Sequence, residues 1–260
     1  MEAFIRKTDA IRKLQLLVSR GNYLWTAGQV PAIKFEALAL KFTDRYHLDL
    51  TPAQRVYRRR TGQAVAYLVA WQESRSQVCW WLLATHGEGL ITELENLRDA
   101  RSKPGRIEVD GYELLQAPIK GRKTTWTWRN TRANYSSWQE RITTAIRSHN
   151  DFNLRQALYS LRRTPGFAAL RREALLLFRF AQAEWKRFRR GDWPHGEIFL
   201  GWLGKYRTGE TRSAKEISEE ARRKARRRRA HVAPSPATRV HQEGTGEQEN
   251  KTISKSKDDE

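Results

Sequence analysis

The sequence has a single cysteine, Cys79, in 260 residues, and it lies inside the apolar run 78–83. A small buried thiol is the ordinary interpretation of that position. One cysteine excludes a disulfide framework and a cysteine-based zinc site within the chain. No apolar run is long enough to span a bilayer, and Glu2 and Asp9 interrupt the N-terminal segment where a secretion signal would need an apolar core. We therefore expect a soluble cytoplasmic protein in a reducing compartment, with no membrane partner.

Recognisable catalytic motifs are also lacking. The six histidines show no ligand-like spacing, and the sequence contains neither a GxxxxGK[ST] loop for nucleotide phosphates nor a GxSxG elbow. We expect no metal and no cofactor, and we favour a protein that is not an enzyme. The alternative is a metal-dependent nuclease or another nucleic-acid-processing enzyme. Its candidate carboxylates are Glu108 and Glu113, which point to the same face of a predicted hairpin, whereas Asp110 is explained by the turn.

Acidic residues are few: 49 Lys or Arg stand against 29 Asp or Glu, a net charge of +20. The run Arg222–Arg229 is not the main source of this excess. Residues 1–210 carry 36 basic and 20 acidic residues, a net of +16, whereas residues 211–260 carry 13 and 9, a net of +4. The body of the protein is therefore itself basic, which favours nucleic acid as partner. An acidic protein partner is the other alternative.

The richest stretch, residues 141–190, has twelve basic residues, three acidic residues and seven aromatic residues. Its apolar side chains recur at helical spacing, at Phe167, Leu170, Ala174, Phe178, Ala181, Trp185 and Phe188. Four basic residues fall on nearly the opposite side: Arg172, Arg179, Lys186 and Arg190. Glu173 and Glu184 lie between the two stripes. This pattern predicts a helix that buries one face and offers the other to phosphate.

The element pattern predicts an α+β fold. Helices are expected over residues 3–19, 33–47 and 90–101. A further short helix is expected to begin after Thr51, because Thr51, Pro52 and Gln54 form a capping box with proline at the first helical position. Strands are expected over 64–71, 78–85, 106–109, 112–117 and 124–129, in one mostly antiparallel sheet of about five, with the second strand central and Asp110-Gly111 as a type I′ turn. Helices follow over 134–148, 151–163 and 166–190.

The predicted organisation has four parts. Residues 1–133 form an α+β domain with an antiparallel sheet, and residues 134–210 form a basic helical region packed on it. Residues 211–230 form a basic helix that starts with a capping box at Ser213 and Glu216, and because it has almost no apolar face we expect it to project from the body or to fray. Residues 231–260 are too polar to fold and are expected to be a disordered tail.

Trp126 and Trp128 share one face of the last strand, beside basic neighbours that include Arg129 and Arg132. Exposed, the two rings would stack the bases of a single strand, and a single strand would be a better ligand than a duplex. Buried, they would pack beneath the C-terminal helices, which is the commoner fate of large aromatic side chains on one face of a sheet. The sequence leaves both alternatives open.

Several phrases resemble uncharacterised proteins encoded on proteobacterial conjugative plasmids and integrative elements. They are Trp80-Trp81-Leu82-Leu83 with Gly87-Glu88-Gly89, Leu97-Arg98-Asp99-Ala100, Gly111-Tyr112-Glu113-Leu114 and Thr164-Pro165-Gly166-Phe167. The likeness covers roughly residues 25–190. It implies a bacterial cytoplasm and a role in maintenance, transfer or regulation of a mobile element, with other proteins of that element as further candidate partners. It implies no activity and no site residues.

The sequence thus predicts a nucleic-acid-binding protein, with DNA favoured over RNA, that contacts phosphates through a basic helix. The candidate binding residues are Arg172, Arg179, Lys186, Arg190, Arg162, Arg163, Trp126, Trp128, Arg129, Arg132, Arg223 and Arg227.

Overall fold

The computed structural model describes residues 1–119, 122–201 and 209–232. The helices in this part of the chain are α1 (Lys7–Ser19), α2 (Phe35–Tyr46), α3 (Pro52–Arg60), α4 (Leu90–Leu94), α5 (Arg132–Arg147), α6 (Asp151–Arg162), α7 (Ala168–Phe188) and α8 (Ala214–Val232). The strands are β1 (Glu2–Phe4), β2 (Leu24–Pro31), β3 (Ala66–Trp71), β4 (Gln77–Ala84), β5 (Arg98–Asp99), β6 (Glu108–Val109), β7 (Tyr112–Ile119), β8 (Arg122–Asn130) and β9 (Thr211–Ser213). The predicted α+β class is confirmed.

The strands form two sheets rather than the single sheet that the sequence predicts. The larger sheet has the order β5-β2-β4-β3-β1-β9, and the smaller has the order β6-β7-β8. All pairs are antiparallel except β1 with β3. Strand β4 is central, as predicted, because its continuous apolar run supplies both faces: Trp81 and Leu83 point into one core, Trp80 and Leu82 into the cores on the other side.

Two amphipathic helices cover the larger sheet. Helix α1 buries Ile11, Leu14 and Val18 against the face that holds Trp81 and Leu83. The opposite face is covered by α2, which buries Phe35, Ala39, Phe42 and Tyr46 at a spacing of four, three and four residues. The ring of Phe42 meets that of Trp80 edge-on, with the centroids 5.1 Å apart. The result is a three-layer arrangement in which the sheet is apolar on both sides.

Strand β2 was not predicted, and a glycine explains why. Gly28 lies in the middle of this strand, opposite Trp80 of β4. A Cβ atom at Gly28 would come within 2.7 Å of the indole of Trp80, so only glycine leaves room for that ring. Glycine in a strand interior normally argues against a strand, and here the reason for it is a long-range contact.

Two predicted helices are wrong in part, because tertiary pairing replaces local preference. Residues 2–4 form β1, which pairs with β9 more than two hundred residues later, so α1 begins only at Lys7. The helix predicted over 90–101 ends at Leu94, and Arg98–Asp99 pair with β2 as strand β5. The guanidinium of Arg98 lies over the ring of Trp25, 3.9 Å from its centroid. Such strand additions at a sheet edge leave no local signal.

The smaller sheet joins the large sheet to the C-terminal helices. Its hairpin turn is the predicted one: Asp110 and Gly111 both have positive φ, 47° and 79°, as a type I′ turn requires. Strand β8 contributes Trp128, which is fully buried and whose indole N–H donates to the carbonyl of Ile11 in α1 at 3.0 Å. Phe167, just before α7, packs against the same ring, with the centroids 6.5 Å apart.

The three helices predicted after the sheet are confirmed. Helices α5, α6 and α7 pack together around a second core that includes Ile146, Leu158, Leu177 and Phe178. Helix α7 ends at Phe188 instead of residue 190, and Phe188, predicted to be buried, is exposed beside the guanidinium of Arg147. The last turn of α7 therefore extends beyond its apolar neighbours.

The sequence predicts that the basic helix α8 projects from the body or frays. The structure shows instead that its first turns are packed against the body. The capping box at Ser213 and Glu216 is confirmed, but Ala214, Ile217 and Ser218 are buried beside Phe35 and Ala3. A short apolar face of one turn is enough to dock this end of the helix. The chain divides into the units Met1–Arg223 and Lys224–Glu260; of the second, residues 224–232 are described and are helical.

The tail predicted over 231–260 lies outside the described residues, except for 231–232. None of the helices in the described part of the chain has the length and apolar character needed to cross a membrane.

Candidate nucleic-acid interface

Three predicted arginines from three different elements line one cavity. Arg129 comes from β8, Arg132 from the first turn of α5 and Arg172 from the second turn of α7. The cavity has a volume of about 900 Å³ and lies where the smaller sheet meets the helical bundle. We call it the arginine groove. Its other lining residues are Leu115, Ala117, Pro118, Thr127, Asn130, Tyr135, Ser136, Gln139, Ala168, Ala169, Glu173 and Leu176.

Strand alternation decides which side chains of β8 reach the groove. Trp126 and Trp128 point to the opposite face and are only 6% and 0% exposed. Both rings pack in the core, so they cannot stack bases. We therefore remove Trp126 and Trp128 from the candidate interface. Thr127 and Arg129 occupy the groove side of the strand.

Two helices begin at the wall of the groove. Thr131 caps α5, where its hydroxyl accepts from the backbone N–H of Asn134 at 3.2 Å. At the start of α7 no side chain of its own caps the helix, although the N–H of Ala169 donates to the hydroxyl of Thr127 at 3.2 Å. The N-terminal end of a helix carries a partial positive charge and free N–H groups, both of which attract anions.

The first turns of both helices lack acidic residues. Instead, Arg132 occupies the first position of α5, and Arg172 lies one turn into α7. Arginine near a helix N-terminus is electrostatically unfavourable by about 0.3–1 kcal/mol, because it faces the positive end of the helix dipole. The helix dipole therefore does not stabilise Arg132 at the start of α5. Arg172, in the second turn of α7, lies beyond the range of this effect.

The acidic side chains at the groove are already engaged. One oxygen of Glu173 accepts from both the backbone N–H and the side-chain amide of Asn130, each at 2.8 Å. Burial, followed by the charge of Glu173, raises the pKa of Tyr135, so its hydroxyl remains a hydrogen-bond donor at neutral pH. Arg132 and Arg172 are exposed and form no ion pair with another residue in the described part of the chain. The groove thus presents positive charge and donors.

Glu113 has a different role from the one proposed for a nuclease. The predicted cross-strand pair with Glu108 is confirmed, but the buried carboxylate of Glu113 accepts from Arg129 at 2.6 Å and from Arg106 at 3.0 Å. Two guanidinium groups therefore occupy the oxygens that a metal would need. Within residues 1–119, 122–201 and 209–232, no three His, Cys, Asp or Glu side chains are close enough to hold a metal ion.

The basic stripe of α7 continues away from the groove. Arg172, Arg179 and Lys186 are exposed, as predicted, opposite the buried Leu170, Ala174 and Phe178. None of them pairs with an acid among the residues that the structure describes, since Glu184 is buried between Arg147 and Arg187. Arg190 is exposed too, but it follows the end of the helix, so the predicted helical position is wrong for this residue.

The remaining predicted residues lie elsewhere on the surface. Arg162 donates to the carbonyl of His195 at 2.6 Å, and Arg163 donates to the hydroxyl of Tyr159 at 2.8 Å; both are at the end of α6. On α8, Arg223 pairs with Glu219 at 3.4 Å, and Arg227 is exposed. The groove therefore brings together three of the twelve candidates, and α7 adds two more in line with it.

Sequence reasoning missed the polar groove residues Tyr135, Ser136 and Gln139 and the two helix ends. A detectable signal was present: Thr131, a good cap, is followed by Arg132 rather than by an acid, and no acid follows within the first turn. Comparison of the chain with protein families, with curated proteins and with solved structures finds no match.

Proposed function

We propose that the protein binds nucleic acid, with DNA favoured over RNA, and that the arginine groove and the basic stripe of α7 contact its phosphates. The observation that carries the proposal is the groove itself. There, Arg132 stands at the positive end of α5 and Arg172 one turn inside α7, both without an acidic partner among the described residues. Arginine and helix N-termini both bind phosphate, which is why this arrangement supports nucleic acid as the ligand.

The α7 stripe extends the same surface. From Arg172 to Lys186 is fourteen residues, or roughly 21 Å along the helix axis, which is about the length of six steps of a nucleic-acid strand. Its charges are held in place because the opposite face of α7 is buried in the bundle. Contacts of this kind position a protein on nucleic acid and carry no sequence information, so we propose binding with little base preference.

The resemblance to proteins of plasmids and integrative elements extends this proposal to a role in maintenance, transfer or regulation of a mobile element. Other proteins of the same element are candidate partners. An acidic protein could occupy the same charged surface, and the experiment below separates it from nucleic acid.

The test is the salt dependence of binding to a fluorescent DNA duplex. Four to six phosphate contacts predict a slope of about −3 to −5 in a plot of log affinity against log salt. Arg132→Ala with Arg172→Ala should reduce the magnitude of the slope by about two and weaken binding on the order of tenfold or more. The matched control is Lys34→Ala, just before α2, with Lys41→Ala on α2; it removes two exposed charges outside the groove and should change the affinity less than about threefold.

A slope near zero would contradict the proposal, as would equal losses in the two double variants. Tighter binding of an aspartate-rich peptide than of DNA at the same salt would identify an acidic protein as the partner and would also overturn it.

A further inference from the structure

Helix α6 presents aromatic side chains to solvent. Phe152 is 67% exposed and Tyr159 is 54% exposed, although both are large enough to stabilise a core if buried. They are seven residues apart, and Gln156 and Arg163 complete the series. At 100° per residue, these four side chains lie within about 60° of one another around the helix. We call this line the α6 ridge.

The buried face of α6 holds the helix in an orientation that keeps the α6 ridge exposed to solvent. Leu154, Ala157, Leu158 and Leu161 are all at most 1% exposed and belong to the core of the helical bundle. Turning Phe152 or Tyr159 inward would require α6 to rotate by about half a turn and expose all four of these residues. The ridge is therefore a rigid surface with two aromatic rings, roughly 10 Å apart along the axis.

The charge around the ridge is positive. Arg155, Arg162 and Arg163 are exposed along the same helix, whereas its one acid, Asp151, pairs with Arg189. The guanidinium of Arg163 donates to the hydroxyl of Tyr159 and lies 5.4 Å from the centre of its ring. A base stacked on Tyr159 would therefore bring its phosphate close to a cation. Aromatic rings interleaved with arginine in this way are how proteins hold single strands.

We propose that the α6 ridge binds single-stranded nucleic acid by stacking bases on Phe152 and Tyr159. This inference rests on the proposed nucleic-acid binding and adds a ligand class to it. The groove and the α7 stripe present charge for phosphates of any strand, whereas the ridge distinguishes a single strand, because the bases of a duplex are stacked on one another. The rings are also far enough apart to take separate bases, since neighbouring stacked bases are about 3.4 Å apart.

A second copy of the chain fits the ridge less well. The net charge of +20 opposes self-association, and the three exposed arginines beside the rings add to that repulsion. An acidic peptide would satisfy those cations but would not need the two flat rings. Single-stranded nucleic acid uses both features.

The experiment compares two ligands and three variants by fluorescence anisotropy. The ligands are an oligomer of deoxythymidine of about 12 nucleotides, which forms no duplex, and a DNA duplex with the same number of phosphates. Replacing Phe152→Ala and Tyr159→Ala together should weaken binding of the oligomer about thirtyfold or more, and binding of the duplex by less than about threefold. Phe152→Tyr with Tyr159→Phe retains both rings and should restore binding.

Tyr57→Ala is the matched control. Tyr57 is 68% exposed on α3 and is followed by three arginines, so it resembles the ridge in composition but lacks a second ring in line. It should change the affinity for either ligand by less than about threefold. An equal loss in the control variant, an equal loss on both ligands, or no loss in the double variant overturns the ridge.

Failure of the ridge and failure of the proposed function are distinguishable. If the protein binds duplex with the expected salt slope but its binding of the oligomer does not depend on Phe152 and Tyr159, the proposed function stands and the ridge proposal is wrong. A protein that binds neither ligand loses both. An aspartate-rich peptide whose binding depends on the two rings as strongly as the oligomer does would assign the ridge to an acidic protein and overturn the proposal.

Discussion

Helices α7 and α8 both carry arginine on an exposed face. On α7, Arg187 pairs with Glu184, but the stripe opposite the core has no acidic partner in the described part of the chain, whereas two arginines of α8 are paired. On α8 and just before it, Arg212 pairs with Glu220, Arg222 with Glu36 and Arg223 with Glu219. On α7, Arg172, Arg179 and Lys186 form no ion pair in the described part of the chain. The helix with the denser arginine run in the sequence has the more neutralised charge over its first turns.

The difference teaches that a run of basic letters is a poor guide to available charge. Glu219, which pairs with Arg223, and Glu220, which pairs with Arg212 of β9, both belong to α8, but Glu36 belongs to α2 and is 186 residues away from Arg222. Exposed pairs of this kind contribute little to stability, since the median is about 0–1 kcal/mol. They nevertheless reduce the positive potential that a phosphate would experience. We therefore propose that α7 and the groove supply the binding energy, whereas the start of α8 has a structural role.

The first test of this comparison concerns stability and has the largest expected effect. Ile217 is 1% exposed and packs beside Phe35 and Ala3, so Ile217→Ala should lower the free energy of unfolding by about 2–4 kcal/mol. Chemical denaturation measures the change. Arg222→Ala, one exposed turn later, is the control and should cost less than about 1 kcal/mol. Equal, small effects would mean that the start of α8 does not stabilise the body.

The sequence predicts those features of α7 and α8 that depend on residues close together in the chain. The apolar spacing of α7 and the capping boxes at Thr51 and Ser213 involve neighbours within a few residues, and all were predicted. The docking of α8 depends on Ile217, a single apolar residue whose partner surface is built from the N-terminal third of the chain. Nothing near Ile217 in the sequence reveals that surface.

The candidate site also combines features that the sequence predicts with features that depend on tertiary packing. Arg129 and Arg132 are neighbours along the chain, and the sequence placed them together. That Arg172 joins them depends on how α7 folds back onto β8 after two intervening helices. The fate of Trp126 and Trp128 also depends on packing: alternation shows that they share a face, but only the position of α1 shows that this face is buried.

The second test removes the unpaired charges of the α7 stripe together with Arg190, which follows the end of the helix. Replacing Arg172, Arg179, Lys186 and Arg190 by Ala should leave the fold intact, because all four are exposed, and should weaken DNA binding on the order of tenfold or more. Each lost phosphate contact should also reduce the magnitude of the salt slope by about one. Thermal unfolding is the check on the fold. Unchanged affinity in a folded variant would place the phosphate contacts outside the stripe.

The third test removes the part of α8 that does not belong to the body, and it has the smallest expected effect. Truncation should begin at Lys224, because residues 211–223 include β9 and the docked turns of α8, and removing them would disturb the larger sheet. The shortened protein should fold normally and bind DNA within about threefold of the full chain, since the nine basic residues removed are accompanied by six acidic ones and residues 224–260 carry a net charge of only +3. The same titration measures it. If this truncation abolishes binding while the α7 replacements do not, the arginine run after residue 223 is the binding element and the assignment of the two helices must be reversed.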